Sequence, residues 1–325
     1  MSEIHLNEIP TIDFNHLQES SSNYEQAIED IKLFAHNPGF FCLENLPLKN
    51  KINLDLTHKH MENFFSYDDN HRIKQDINVS GKDNSYGWMP IFQEPAYEEG
   101  TTAHVESFDF GRPRKAVESK NYNRNYWPAL DNFKKDVRST WDNYTNIGML
   151  TLKAISRSLE LPTNFLSDRC NTQDLSTMRL LHYPAMLKKL MTKEDVGISA
   201  HTDFECITLI SQTAPGLELL SRNNTWFEAS SDNKKIVVII GKMLEIWTNG
   251  HLKATKHRVN NREWQRYSTV LFFGVNDQII IKPLDQFIKN NGLSHYDAIT
   301  QREHIENEIS KAEKNRDSDS NIKVT

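Results

Sequence analysis

Between about Ser176 and Lys282 the chain is a succession of short apolar runs: TMRLLHY, CITLISQ, GLELLS, WFEAS, KKIVVIIG, EIWTNG, KATKHRV and RYSTVLFFGV. Each is rich in β-branched or aromatic residues, turn formers separate them, and no helical repeat lies between them. Six or more short strands in about 100 residues leave few architectures open. Without helical crossovers they pair antiparallel and bury one another's apolar faces as a sandwich or barrel.

The flanks read differently. IPTIDF is strand-like, NYEQAIEDIKLFAHN carries Ala27, Ile28, Ile31 and Phe34 at helical spacing before Pro38-Gly39, and GFFCLENLPL reads as a buried strand. A second helix is expected over about 50–66, and HVESFDFGR alternates like a strand. From about Ala129 to Glu160, Phe133, Val137, Trp141, Tyr144, Gly148, Leu152, Ile155 and Leu159 recur every three or four residues. Such a stripe predicts a spine beneath a sheet, with Gly148 marking close packing. A last helix is expected near 296–315, followed by a mobile tail, RDSDSNIKVT. The organisation that results is an N-terminal αβ region (1–125), a supporting helix with its connection (126–175), a β core (176–283) and a C-terminal helix and tail (284–325). No repeat or linker divides it, so one structural unit is expected.

A chain of 325 residues buries such a core without a disulfide or zinc staple. Its three cysteines, Cys42, Cys170 and Cys206, show no CxxC spacing and suit a reducing compartment, the cytosol by default. A net charge of −6 argues against nucleic acid, whose phosphates need a basic surface. No run of about 18 apolar residues spans a membrane, and MSEIHLNEIPTIDF has neither a secretory nor a transit pattern. The expectation is a cytoplasmic monomer acting on a small molecule.

His201-Thr202-Asp203 stands directly before CITLI. In extended backbone, residues two apart share a face, so His201 and Asp203 aim at one point. With thirteen histidines and 44 acidic residues, such triplets arise by chance. Context gives this one weight. His257 lies in KATKHRV, and Arg266 and Ser268 share a face of RYSTVLFF. Two imidazoles and one carboxylate, with positions left open, suit non-haem Fe(II) that must also bind a co-substrate and O₂. A structural zinc would want four protein ligands.

These motifs resemble those of the isopenicillin N synthase-like branch of the Fe(II)/2-oxoglutarate-dependent dioxygenases. The likeness runs over roughly residues 8–280: IPTIDF and GFFCLENLPL resemble the family's N-terminal region. LLHYPA, GISAHTDFECITLI, PGLELL, IVVIIGKMLEIWTNGHLKATKHRV and RYSTVLFF resemble successive pieces of its core. The resemblance implies a mainly β fold with flanking helices, a distorted double-stranded β-helix (jelly roll, cupin-like) wrapped by the N-terminal αβ region and the long helix. It implies that His201, Asp203 and His257 hold Fe(II). Arg266 would grip the distal carboxylate of 2-oxoglutarate, with Ser268 and Tyr183 donating hydroxyl hydrogen bonds. Ascorbate is an expected stimulant. Turnover would release succinate and CO₂ and oxidise a C–H bond by hydroxylation, desaturation or ring closure. Two other readings stand beside this one: an oxidase that uses Fe(II) and O₂ without 2-oxoglutarate, and a ligand-binding module of the same fold without turnover.

Two positions depart from the pattern. Leu181 stands where many plant members have Asn, which removes one hydrogen bond to the co-substrate, and Gly241-Lys242 replaces a Gly-Asp turn. For substrate contact the resemblance nominates Tyr86, Trp88, His104, Phe108, Arg179 and Phe204. Arg179 points to a carboxylated substrate, such as an amino-acid-derived natural product whose ring is closed oxidatively, a kainoid precursor being one example.

Overall fold

The computed structural model describes residues 8–46, 54–82, 85–94, 97–113, 122–192, 194–232 and 234–322. Residues 1–7, the end of GFFCLENLPL, the start of the second expected helix and the last three residues of the tail lie outside these. The two main sheets use twelve strands: β1 (Thr11–Asp13), β2 (Phe40–Glu44), β3 (Trp88–Met89), β4 (Glu106–Gly111), β5 (Thr177–Tyr183), β6 (Ile198–His201), β7 (Ile207–Gln212), β8 (Leu217–Leu220), β9 (Trp226–Glu228), β10 (Ile236–Ile240), β11 (His257–Val259) and β12 (Arg266–Phe273). The major sheet runs β1-β2-β10-β7-β12-β5-β4-β3 and the minor sheet β6-β11-β8-β9. Pairing is antiparallel apart from β1 on β2, which run parallel across a helical connection.

Period two explains how one sequence serves two cores. In β10 every residue is buried: Val237 and Ile239 enter the layer shared by the two sheets, and Ile236, Val238 and Ile240 enter the layer beneath the helices. Strand β2 divides the same way, Phe40 and Cys42 inward, Phe41 and Leu43 toward the helices. A strand buried on both faces must read as an unbroken apolar run, as these do.

Helices α1 (Tyr24–His36), α2 (Leu54–Phe65) and α3 (Phe133–Ser158) cover the outer face of the major sheet, with Ala27, Ile28 and Ile31 of α1 and Phe133, Val137, Trp141, Tyr144, Leu152 and Ile155 of α3 buried as predicted. Gly148 of α3 lies against β12, where a Cβ would overlap the Phe273 ring. EIWTNG, expected as a strand, lies half in a short helix, Lys242–Trp247, and half in the turn that follows it. Met243, Ile246 and Trp247 are buried at helical spacing, and Lys242 N–H bonds the Asp203 carbonyl. That contact turns the chain over the site before any strand can form. The C-terminal helix α4 (Gln301–Ile322) starts later than expected and continues into the segment expected as a mobile tail, which has neither Gly nor Pro to stop it.

Candidate active site

Strands β6 and β11 set His201 directly opposite His257, across a local irregularity in the ladder. The ring centroids are 4.3 Å apart. Each Nδ1 lies against a carbonyl, that of Ser199 for His201 at 2.9 Å and that of Thr255 for His257 at 3.1 Å. A carbonyl only accepts, so each Nδ1 carries the proton and each Nε2 offers a lone pair. Those two Nε2 atoms lie 3.5 and 3.6 Å from Asp203 Oδ1, and the three donor atoms fall within 4.8 Å of one another. Asp203 Oδ2 accepts from the Thr208 hydroxyl, leaving Oδ1 free to face the imidazoles.

Burial and charge place Asp203 and His257 in the protonation states that ligation requires. Burial would raise the Asp203 carboxyl, but His257, His201 and the Thr208 hydroxyl outweigh it and hold it at about 2. Burial brings His257 down to about 4 in spite of Asp203. A neutral His257 imidazole beside an ionised Asp203 carboxylate therefore exists at neutral pH.

Arg266, fully buried at the start of β12, faces the same cavity. Its Nη2 donates to Gln212 Oε1 at 2.7 Å and to the Ser268 hydroxyl, and its guanidinium carbon lies 4.2 Å from the Tyr183 ring centroid. Nε and Nη1 are buried with no hydrogen-bond partner among the described residues. A buried guanidinium with two donors unused is costly unless an acceptor arrives, which fits a dicarboxylate co-substrate. Burial pushes the Tyr183 phenol up to about 12 despite the Arg266 cation, so it stays a hydroxyl donor. Gly216, at φ 153°, keeps this seat open, since a Cβ there would lie 3.0 Å from Arg266 Cδ. Gln212 was not foreseen. Its amide also donates to the carbonyls of Ala229 and Ser230 at 3.0 and 3.1 Å, tying the clamp to the β9–β10 connection. Its register partner is Ser268, and strand phase from that residue would have found it.

The cavity extends from the His–Asp–His cluster over about 710 Å³ and is lined from both sheets and by α4. Tyr86, Arg179 and Phe204 line it, as expected. Trp88, Phe108 and His104 do not. Trp88 and Phe108 are register partners on the outward phase of β3 and β4. Trp88 Nε1 donates to Glu106 at 2.7 Å, and Phe108 packs among Phe64, Phe110 and Phe133. The residues that do face inward are their neighbours Gly87, Met89 and Asp109. His104 lies outside the lining, its ring stacked on Phe92. Arg179 is already occupied: Nε and Nη2 donate to Asp109 and Nη1 to Glu94 at 2.7 Å. Burial would weaken its charge, but those two carboxylates outweigh burial. It is no vacant anion receptor, and the inference of a carboxylated substrate loses its basis. Glu94 and Asp109 were missed because one lies outside any regular strand and the other is a single residue from the wrong phase.

Two histidines and an aspartate whose donor atoms converge beside a buried arginine fit the binding of Fe(II). Comparison with known proteins agrees. Residues 175–275 match the 2OG-Fe(II) oxygenase superfamily and residues 9–130 the N-terminal region of the non-haem dioxygenase in morphine synthesis. The chain is 26% identical over 308 residues to proline hydroxylase buaE of Petromyces alliaceus, covering 89% of this chain and 94% of that protein. It is 30% identical over 220 residues to the 2-oxoglutarate-Fe(II) type oxidoreductase ppzD of Metarhizium rileyi, covering 63% of this chain and 62% of that one. A full-length Neurospora crassa protein, crystallised in complex with alpha-KG, has the same fold, with a TM-score of 0.80 at 23% identity and coverage of 94% and 95%. The chain belongs to the 2OG-Fe(II) oxygenase superfamily, as an Fe(II)- and 2-oxoglutarate-dependent dioxygenase.

Proposed function

We propose that His201, Asp203 and His257 hold the Fe(II), that Arg266, Ser268 and Tyr183 seat the distal carboxylate of 2-oxoglutarate, and that a small metabolite occupies the remaining cavity. The observation that carries this is the convergence of three donor atoms within 4.8 Å in the cavity that also receives Arg266. Bound there, Fe(II) would supply O₂ activation coupled to decarboxylation of 2-oxoglutarate to succinate and CO₂. The chain's own residues do the rest. The Ser199 and Thr255 carbonyls fix the imidazole tautomers, and Thr208 holds the carboxylate in one orientation. Ile210, Leu217, Val259 and Val270 supply an apolar wall that keeps water from the reacting centre. The reaction is oxidation of a C–H bond, by hydroxylation, desaturation or ring closure, and the substrate is a small metabolite; the likeness to a proline hydroxylase, not Arg179, supports an amino-acid-derived one. Among the described residues no helix is long and apolar enough to cross a membrane, in keeping with action on a dissolved metabolite.

The test is anaerobic. Adding 2-oxoglutarate to the Fe(II)-loaded protein should raise a weak visible charge-transfer band, and admitting O₂ with substrate should release succinate. His201→Ala and Asp203→Ala should abolish succinate release. Substantial turnover in either variant would remove that residue from the metal, and a missing band on fully loaded protein would defeat co-substrate chelation.

A further inference from the structure

We infer that the substrate carries a protonated amine, held by the cavity wall that Glu94, Tyr97, Glu205 and the Arg179–Asp109 pair form beside the metal ligands. This rests on the co-substrate reading above, which accounts for Arg266. The cations lining the cavity among the described residues are Arg179, Arg266 and Arg302. Arg302 is paired with Asp277 at 2.7 Å, and Arg266 is assigned to 2-oxoglutarate. Arg179 alone remains for the substrate region, and two carboxylates, Asp109 at 2.8 Å and Glu94 at 2.7 Å, already share its single charge. One negative charge is left over. Glu205 adds a third carboxyl group to the same cavity. It is 8% exposed, leans on the backbone N–H groups of Phe204 and its own residue, and has no side-chain partner among the described residues.

Among the described residues an anionic substrate would meet no free cation here and would be repelled. A neutral one would leave the surplus charge desolvated without a counter-charge, the costly arrangement for a buried ion. An ammonium supplies both the charge and the N–H donors that carboxylates accept, in the class of hydrogen bond that is strongest in a closed cavity. Tyr97 fixes where it would sit. Its ring stacks on His201 with centroids 4.5 Å apart, so a nitrogen against this wall brings its neighbouring carbons beside the metal ligands. The bond to be oxidised would therefore lie close to a C–N bond.

Calorimetric titration of the Fe(II)-loaded protein, anaerobic and with 2-oxoglutarate present, tests this with matched probes. Phenethylamine and tryptamine are each compared with their N-acetyl forms, and 3-phenylpropionate serves as an anionic counterpart. At least one amine should bind, with its acetylated partner weaker by roughly 10- to 100-fold. Glu94→Gln, which keeps shape and removes one of the two carboxylates on Arg179, should weaken the amine about tenfold and leave the acetylated probe within about twofold. Binding in which acetylated or anionic probes match the amines, an absence of any amine binding, or an equal loss for both probe types in the variant would overturn the proposal. The 2-oxoglutarate band reports on the clamp separately. A normal band with no preference for amines sinks this inference alone. A missing band with amine preference intact sinks the co-substrate reading and leaves the amine site standing.

Discussion

Single residues carry most of the chemistry, and they differ in how far their surroundings could be guessed. His201, Asp203 and His257 were legible because strand parity and pairing bring them together, whereas Arg179 was misjudged because its partners come from elsewhere in the chain. For Arg266 the argument is geometric: a planar fork offers two free N–H groups, and a lysine offers one point charge. Arg266→Lys should raise the KM for 2-oxoglutarate by roughly 10- to 100-fold, read from succinate release at saturating substrate. Glu205 makes a pH prediction. Burial, reinforced by the Asp203 charge, raises its carboxyl from 4.5 to about 8, so the folded chain holds this proton more tightly than the unfolded chain does. Its neutral form is tolerated below pH 4.5, and stability is lost as pH rises through about 8. Glu205→Gln removes that loss. In metal-free protein its melting temperature should exceed the wild type's by a margin that grows from about pH 5 to about pH 8, to several degrees. A margin that stays flat with pH would contradict the raised carboxyl.

Elements were legible where their pattern was long. Helix α3 shows most of its design in the repeat of apolar residues, and its one glycine was rightly taken as a point of close approach. Gly148→Ala would gain about 1 kcal/mol of helix propensity, but the added methyl has to enter the space of Phe273, which is fully buried and cannot yield. The overlap should win by about 1–3 kcal/mol, seen as a lower urea midpoint with unchanged slope. Short elements were another matter. EIWTNG alternates well enough for a strand, yet Lys242 N–H reaching the Asp203 carbonyl starts a turn of helix. The two-residue strand β3 carries too few positions to set its own phase, and β4 takes its phase from pairing with β5. An error of one residue there exchanged Trp88 and Phe108 for Gly87, Met89 and Asp109.

At the scale of the whole molecule, the cavity is a joint product of segments that lie far apart in sequence. Arg302, Ile305, Glu306 and Ile309 of α4 close its outer side, while Gln301 anchors the helix by accepting from Val275 N–H at 2.6 Å. Ending the chain at Thr300 should therefore spare the 2-oxoglutarate band, whose residues lie on the sheets, and cut substrate turnover at least tenfold. Loss of the band together with turnover would show that the helix supports the core and not only the cavity. By itself the sequence determined the strand core, the spine helix and the convergence of His201, Asp203, His257 and Arg266 on one cavity. Each follows from a local period or from residues a fixed distance along paired strands, and such relations survive in one dimension. Which side chains face the substrate, and with what net charge, was decided only when Glu94, Asp109 and Arg179 met across three separate segments. Electrostatics depends on separation in space, and the distance along the chain carries almost no record of it.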